Sequence, residues 1–197
     1  MNVSSDYREA LNGQPKWAAK ATVDLADGRR IELGGHDIMK GGIKIEDSTS
    51  EPDTFQLGSA IIQKLTLIIN NRTQKLTEED LTGAVIRPYV GLVIRGNYEG
   101  YQLEWLQKGI YVADDVVEGG STITVTAYDY MSKFDKSYAS CTLQYPATLY
   151  EILASACQDC GLPLGTLTFP NSDYTVDTRP DDDKTTYREI VSYVAQL

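Results

Sequence analysis

The sequence contains few of the side chains that carry most enzyme and metal chemistry. Its 197 residues include one histidine and three cysteines. A histidine-dependent triad would therefore rest on a single residue, and a zinc site with four histidine or cysteine ligands would need all four of these residues. Phenylalanine is also scarce, with three residues against thirteen tyrosines. Because tyrosine tolerates half-burial and is enriched at protein interfaces, this imbalance is one indication of a protein that assembles.

The sequence also lacks a hydrophobic run long enough to cross a membrane as a helix. The longest apolar stretch, residues 60–69, is interrupted by Gln63 and Lys64. The first ten residues have neither the basic nor the apolar region of a signal peptide. The three cysteines are therefore expected to be free thiols in a reducing compartment.

Basic residues are in the minority. Lysine and arginine number 18 against 28 acidic residues, which gives a net charge of −10. Stable binding to a nucleic-acid backbone needs clustered basic side chains that displace counterions, so this balance disfavours it. It does not prevent nucleic acid from passing close to the protein without being retained.

The region from residue 16 to about residue 135 is predicted to be β. Leu65, Leu67 and Ile69 alternate with polar or outward positions, and residues 122–127 alternate in the same way. The Asp-Gly pair within residues 26–29 predicts a hairpin turn. Short alternating strands separated by turn residues are typical of an antiparallel β-barrel or sandwich.

The predicted fold class is mainly β, with an antiparallel barrel or sandwich followed by a small α+β domain. The expected parts are an N-terminal helix over residues 1–14, a β-barrel domain over residues 15–140 and an α+β domain over residues 141–197. Ser5 or Asp6 can cap the first helix. Pro88 cannot donate a ladder hydrogen bond, which predicts an edge position or a bulge in its strand.

The last domain combines helices with short strands. Thr148 opens a helix with a capping box, and Gly161 is suited to end it. A second capped helix begins at Thr186, and residues 162–169 and 174–178 are predicted to be short strands. Because the chain stops inside the last helix, we expect it to be part of a longer protein.

Cys157 and Cys160 have the spacing of a redox dithiol or of half a zinc site. In a helix both lie on the apolar face that contains Leu149 and Ile152. A redox dithiol is activated at a helix N-terminus, whereas these residues lie near the C-terminal end, where the helix dipole raises a thiol pKa. We interpret them as core cysteines, with metal binding and redox chemistry as the alternatives.

His36 lies in the glycine turn LGGH, residues 33–36. With Cys141 it is the only remaining candidate to complete a zinc site around Cys157 and Cys160. No Gly-x-Ser-x-Gly motif accompanies it, so we interpret it as a turn residue, with a catalytic triad as the alternative.

The acidic clusters have no spacing that specifies a site. The aspartates at 181–183, within residues 179–184, are contiguous, whereas a calcium loop needs alternating ligands and a closing glutamate. We interpret them as a solvated loop before a helix, with adventitious cation binding as the alternative. Asp114, Asp115 and Glu118 are interpreted as a solvated rim beside a turn, with a paired-carboxylate site as the alternative. No catalytic, cofactor-binding or metal-ligating residue is assigned.

Several stretches, in this order and spacing, resemble a known family. They are GGIKIEDSTSEPDTFQLGSAIIQKLTLIINN (41–71), DLTGAVIRPYVGL (80–92), KGIYVADDV (108–116), TAYDYMSKFDKSY (126–138) and YPATLYEILASACQDCGLPL (145–164). The ordered set, together with the end YREIVSYVAQL, is similar to tail proteins of phages and prophages of Gram-positive bacteria. These resemble the baseplate hub, or tail-tip, protein of tailed phages.

The resemblance implies a β-barrel domain related to tail-tube modules and a trimeric ring that closes the end of the tube. It implies a structural protein of the virion tail that joins the tube to distal components and is assembled in the bacterial cytoplasm. It supplies no catalytic residue and no cofactor in this region, so we expect no enzymatic activity. DNA would pass through the lumen without stable binding, and no membrane insertion is expected.

Two other functions stay open. Some relatives are described as tail endopeptidases, so a cell-wall peptidase or lysozyme-like hydrolase is one alternative, and its site would have to use His36, Cys157 or the acidic clusters. A carbohydrate- or receptor-binding β domain is the other, with Trp17 and Trp105 as candidates to stack on sugars.

Overall fold

The structure is a computed structural model in which the chain forms two compact units. One unit comprises Met1–Glu46 with Lys64–Asp129, and the other comprises Asp47–Gln63 with Tyr130–Leu197. The described residues are 3–47, 58, 60–74, 76, 79–97, 100–165, 168–180 and 184–197.

Among its described residues the first unit has one helix and eight strands, and the strand pairings found there are antiparallel. In chain order these elements are α1 (Ser5–Leu11), β1 (Trp17–Asp24), β2 (Arg30–Leu33), β3 (Ile38–Glu46), β4 (Lys64–Asn70), β5 (Val85–Asn97), β6 (Gly100–Gln107), β7 (Tyr111–Glu118) and β8 (Thr122–Asp129). The sheet runs β2-β1-β5-β7-β8-β4-β3, and β6 pairs with β5. A mainly β, antiparallel fold is confirmed.

One hydrophobic core is enclosed by this sheet. The predicted inward positions Leu65, Leu67 and Ile69 are all buried, as are their partners on β8, Ile123 and Val125. The same core includes side chains from β2 and β3, which are the two ends of the sheet path. The sheet must therefore curl until both ends contact one core, as in a barrel or sandwich.

β5 changes its partner at Pro88. On one side β5 pairs with β1 throughout Val85–Leu92, so the predicted edge position is wrong. On the other side it pairs with β7 at Val85 and Ile86, and with β6 from Tyr89 onward. The carbonyl of Pro88 accepts a hydrogen bond from the Lys108 amide (2.8 Å) on that second side. The missing N–H of proline faces the same side, where one partner strand gives way to the next.

β3 departs from regular pairing between Ile38 and Ile43. Ile38 is paired with Ile69 and Ile43 with Leu67, so residues 39–42 oppose a single residue of β4. At Gly42 an added Cβ would lie 2.7 Å from the backbone oxygens of Ile68 and Met39. Only glycine fits there without moving the backbone.

Helix α1 is capped one residue earlier than predicted. The Ser4 side chain, and not that of Ser5 or Asp6, accepts a hydrogen bond from the Tyr7 amide (3.0 Å). The Ser4 amide and hydroxyl both donate to the carboxylate of Glu104 on β6. The helix is therefore fixed to the sheet at its first residue, and Tyr7 is buried.

The second unit is built from α2 (Leu149–Asp159), α3 (Tyr187–Gln196), the two-residue strands β9 (Ala147–Thr148) and β10 (Thr175–Val176), and two 3₁₀ helices at Tyr130–Phe134 and Tyr138–Ser140. Both predicted capping boxes are present, at Thr148 with Glu151 and at Thr186 with Glu189. Of the two predicted strands, 174–178 yields only β10. In 162–169, the described residues 162–165 and 168–169 contain no strand, and residues 166–167 lie outside the described residues.

Substituting Gly42 with alanine should destabilise the protein by about 2–3 kcal/mol, because its Cβ would overlap two backbone oxygens. Gly35→Ala is the matched control, since a Cβ at Gly35 meets no atom within 4 Å. That change should stay within about 0.5 kcal/mol. Urea unfolding of both variants measures the difference, and equal stability would contradict the packing described for β3.

Asp24 should stabilise the fold at neutral pH and lose this contribution in acid. Hydrogen bonds and charges from Arg30 and Arg87 lower its pKa to about 2, against the opposing effect of burial. The contribution is therefore complete above the unfolded-state pKa near 3.8 and is lost as the pH falls toward 2.

Asp24→Asn should cost about 1 kcal/mol at pH near 5, because cross-strand pairs on a partly exposed face contribute little more. Free energies of unfolding for both proteins should converge as the pH approaches about 2. A gap that persists unchanged at that pH would mean that the charge of Asp24 is not its source.

Candidate functional site

The three cysteines belong to the core of the second unit. Cys141 and Cys160 are buried, and Cys157 is half-buried against the same cluster. All three are free thiols. The predicted helical stripe is confirmed, because Leu149 and Ile152 are buried in this cluster as well.

The Cys157-x-x-Cys160-Gly sequence forms the C-terminal cap of α2. Cys160 is the cap residue, and Gly161 follows it in the left-handed conformation with φ +67°. The Leu162 amide donates to the carbonyl of Cys157 (2.8 Å), and the Gly161 amide donates to Gln158 (3.0 Å). These two bonds are those of a Schellman motif. The spacing of the motif is thus accounted for by the geometry of a helix end.

Burial raises the pKa of both thiols in this motif. A thiol with a raised pKa is less often the reactive thiolate at neutral pH. The arrangement supports packing and disfavours nucleophilic chemistry. Among the described residues, no group of three His, Cys, Asp or Glu side chains is arranged to hold a metal ion.

His36 lies on an exposed turn, as predicted. The turn is held by Asp37, whose carboxylate accepts from the Gly34 amide (2.9 Å) and whose own amide donates to the Gly34 carbonyl (3.0 Å). The carbonyl of His36 accepts from the Asn70 side chain (3.2 Å). The residue therefore serves the connection between β2 and β3 through its backbone.

The acidic candidates lie at the end of β7. Asp114 is the extra residue of a register shift, since Ala113 pairs with Ala127 and Asp115 with Thr126. Asp114, Asp115 and Glu118 are all exposed. The aspartates at 181–183 lie outside the described residues.

Arg179 has a structural role that sequence reasoning missed. Its guanidinium donates to the carbonyls of Tyr138 (2.7 Å), Ala139 (3.1 Å) and Cys141 (2.9 Å). It also lies 5.1 Å from the centre of the Tyr138 ring. Because its acceptors are about forty residues away in sequence, no local pattern could have identified this contact.

A group of aromatic and lysine side chains lies on the outer face of β1, β5 and β6. The ammonium group of Lys20 is 4.7 Å from the centre of the Trp105 ring and 5.2 Å from that of Tyr89, and Lys16 is 5.6 Å from that of Tyr101. We call this group, Lys16, Lys20, Tyr89, Tyr101 and Trp105, the aromatic–lysine surface. The sequence named only Trp105 among its members.

The two tryptophans proposed as sugar-stacking residues have different surroundings. The Trp105 ring covers Gly91 on β5, where a Cβ would lie 2.7 Å from the ring. Trp105 is therefore already engaged by Gly91 and Lys20 within the sheet. Trp17, at the start of β1, is 52% exposed.

Within the described residues, no helix is long and apolar enough to cross a membrane. No protein-family model matches the chain, and no curated protein matches it significantly in sequence.

Solved structures with some similarity to this chain include a prophage tail protein, a chain of a gene transfer agent virion and a chain of a VgrG complex. The 43 kDa tail protein of prophage MuSo2 from Shewanella oneidensis has a TM-score of 0.50 and 16% identity, over 90% of this chain and 50% of that chain. A chain in the virion of a native gene transfer agent particle has a TM-score of 0.47 and 15% identity, over 74% of this chain and 50% of that chain. A chain of the PdpA–VgrG complex in its lidless form has a TM-score of 0.44 and 10% identity, over 82% of this chain and 28% of that chain.

This chain thus spans half the length, or less, of these proteins. The likeness to the MuSo2 protein shows that the two share a fold, and it extends over most of both units described above.

In the folded protein, iodoacetamide should modify Cys157 and Cys160 at least about tenfold more slowly than in concentrated urea, because burial raises their pKa and limits access. Mass spectrometry of time points at mildly alkaline pH measures each rate. A cysteine placed at exposed Gly35 is the matched control and should react at nearly the same rate in both conditions. If Cys157 reacted as fast as that control, the interpretation as a core residue would be wrong.

Proposed function

We infer that this chain is a structural subunit of a phage or prophage tail, and specifically a baseplate hub or tail-tip subunit that joins the tail tube to distal tail components. The observation that carries this proposal is the shared fold with the MuSo2 tail protein over 90% of the chain. A match of this extent includes the β unit and the small α+β unit together.

The sequence supports the same assignment independently. Five ordered stretches between residues 41 and 164 resemble hub proteins of Gram-positive phages and prophages. Each of them includes at least part of a strand or helix, such as the β4 strand in the first and the capped helix α2 in the last. In this proposal the full-length protein forms a trimeric ring at the end of the tube.

The charge of the chain suits a conduit for DNA. At a net charge of −10, the average surface repels phosphate, so DNA in the lumen of a ring would slide and not be held.

The hydrolase alternative has less support. His36 uses its backbone to hold a turn of the first unit, and Cys157 packs at a helix end in the second. Neither contact resembles the nucleophile–base hydrogen bond that such a site would use. Incubation with peptidoglycan tests it directly, and turnover lost on His36→Ala or Cys157→Ser would favour a hydrolase.

Immunogold labelling of purified phage or prophage particles with an antibody to this chain should mark the end of the tail that meets the host. Averaged electron micrographs of that end should show threefold density. Particles lacking the gene should have tubes without a distal structure, and complementation should restore it. Label on capsids, or normal tails without the gene, would refute the proposal.

A further inference from the structure

We propose that the aromatic–lysine surface of one copy of this chain binds the acidic end of β7 of another copy, in a head-to-tail contact. The acidic end consists of Asp114, Asp115, Val117 and Glu118. The inference rests on the proposed function in that it names the surfaces through which hub subunits contact one another.

The aromatic–lysine surface carries positive charge that the fold does not neutralise. Within the part of the chain that the structure describes, no carboxylate is within ion-pair distance of Lys16 or Lys20. The two ammonium groups are instead placed over aromatic rings, at 4.7–5.6 Å from the ring centres. Contact with an aromatic ring leaves the far side of an ammonium group available to a second partner.

The composition of this surface is that of an interface. Trp and Tyr are enriched among residues that dominate binding energy, and here they lie on adjacent strands in contact with lysine side chains. Tyr101 is 65% exposed although its ring offers a large apolar area. In a chain of net charge −10, this arrangement calls for a partner surface that is acidic and partly apolar.

The acidic end of β7 has the complementary character. Asp114, Asp115 and Glu118 are exposed, and Val117 between them is 55% exposed. No basic side chain among the described residues is within ion-pair distance of these carboxylates. An exposed valine among three unneutralised carboxylates matches the partly apolar, acidic surface required.

The backbone of this segment is also exposed to a partner. Beyond Ala113, which bonds with Ala84 and Gly83, β7 pairs with β8 alone within the described residues. In the described part of the chain no strand covers its other edge, and uncovered strand edges are sites of association.

The two surfaces cannot meet within one molecule. Trp105 lies opposite Gly91 of β5, whereas β7 leaves β5 at the opposite end of that strand, beyond Val85. Along the strand direction they are roughly 30 Å apart, at about 3.3 Å per residue. Contact between them therefore requires a second copy.

Charge also determines the symmetry of the contact. A twofold contact that placed each surface against itself would oppose like charges, which is repulsive. A contact between two different surfaces is heterologous, and it closes a ring where its rotation divides a full turn. A heterologous contact of this kind is the one that the ring of the proposed function uses.

Sedimentation of the chain at low ionic strength tests the inference. Association should depend on concentration and weaken with added salt. Lys20→Glu or Asp115→Lys should each reduce the association constant at least about tenfold, and the double variant should recover most of it. Lys40→Glu, an equal charge change at an exposed position on β3, is the matched control and should have no effect.

A mixture of the two single variants distinguishes a contact between the two different surfaces from a contact of either surface with its own copy. Each variant alone places like charges opposite each other, whereas both contacts between the two variants pair unlike charges, so the mixture should associate in alternation although neither variant does so alone. Circular dichroism verifies that all variants are folded. The inference is overturned if the chain stays monomeric up to about 1 mM, if Lys40→Glu is as damaging, or if the mixture does not associate.

These outcomes are distinct from those that test the proposed function. If the antibody labels the tail end but Lys20→Glu and Asp115→Lys do not change association, this inference is wrong and the proposed function is not affected. Association that follows the charge reversals, with no label on tails, would refute the tail assignment and leave the contact standing.

Discussion

The partner change of β5 at Pro88 is the constraint on which the first unit depends. Because proline lacks an N–H, the side of β5 that faces β6 and β7 cannot carry one continuous ladder. The strand therefore has two parts: Val85 and Ile86 pair with β7, and the part from Tyr89 onward pairs with β6. The aromatic–lysine surface lies on the second part, and the acidic end of β7 extends past Val85, where β5 begins.

Much of the fold follows from local patterns in the sequence. Period-two alternation found β4 and β8, and the capping boxes at Thr148 and Thr186 placed both helices of the second unit. The strand β6 was not predicted individually. Its apolar residues Leu103, Trp105 and Leu106 fall on both faces of the strand, so the sequence shows no alternation of apolar and polar residues there. The contact of Ala60 with Ser192, across 132 positions, is of a kind that no local pattern encodes.

Among the candidate sites, too, some could be predicted from local sequence patterns and others depend on contacts between distant residues. Helical spacing was enough to place Cys157 and Cys160 in the core, because the stripe and the C-terminal position are both local properties. The aromatic–lysine surface depends on the register of three strands. It forms because Lys20 of β1 is paired with Tyr89 of β5, and Gly91 of β5 is paired with Trp105 of β6. Residue types alone cannot supply such a register.

Arg179 has a consequence for how the second unit opens. One guanidinium binds two carbonyls of the 3₁₀ helix Tyr138–Ser140 and that of Cys141, which caps it, and its own segment lies about forty residues downstream. Neither segment can unfold without breaking the same set of charge-assisted bonds. The two stretches are thereby joined into one cooperative opening unit, and a protease that cleaves in either would require both to detach first.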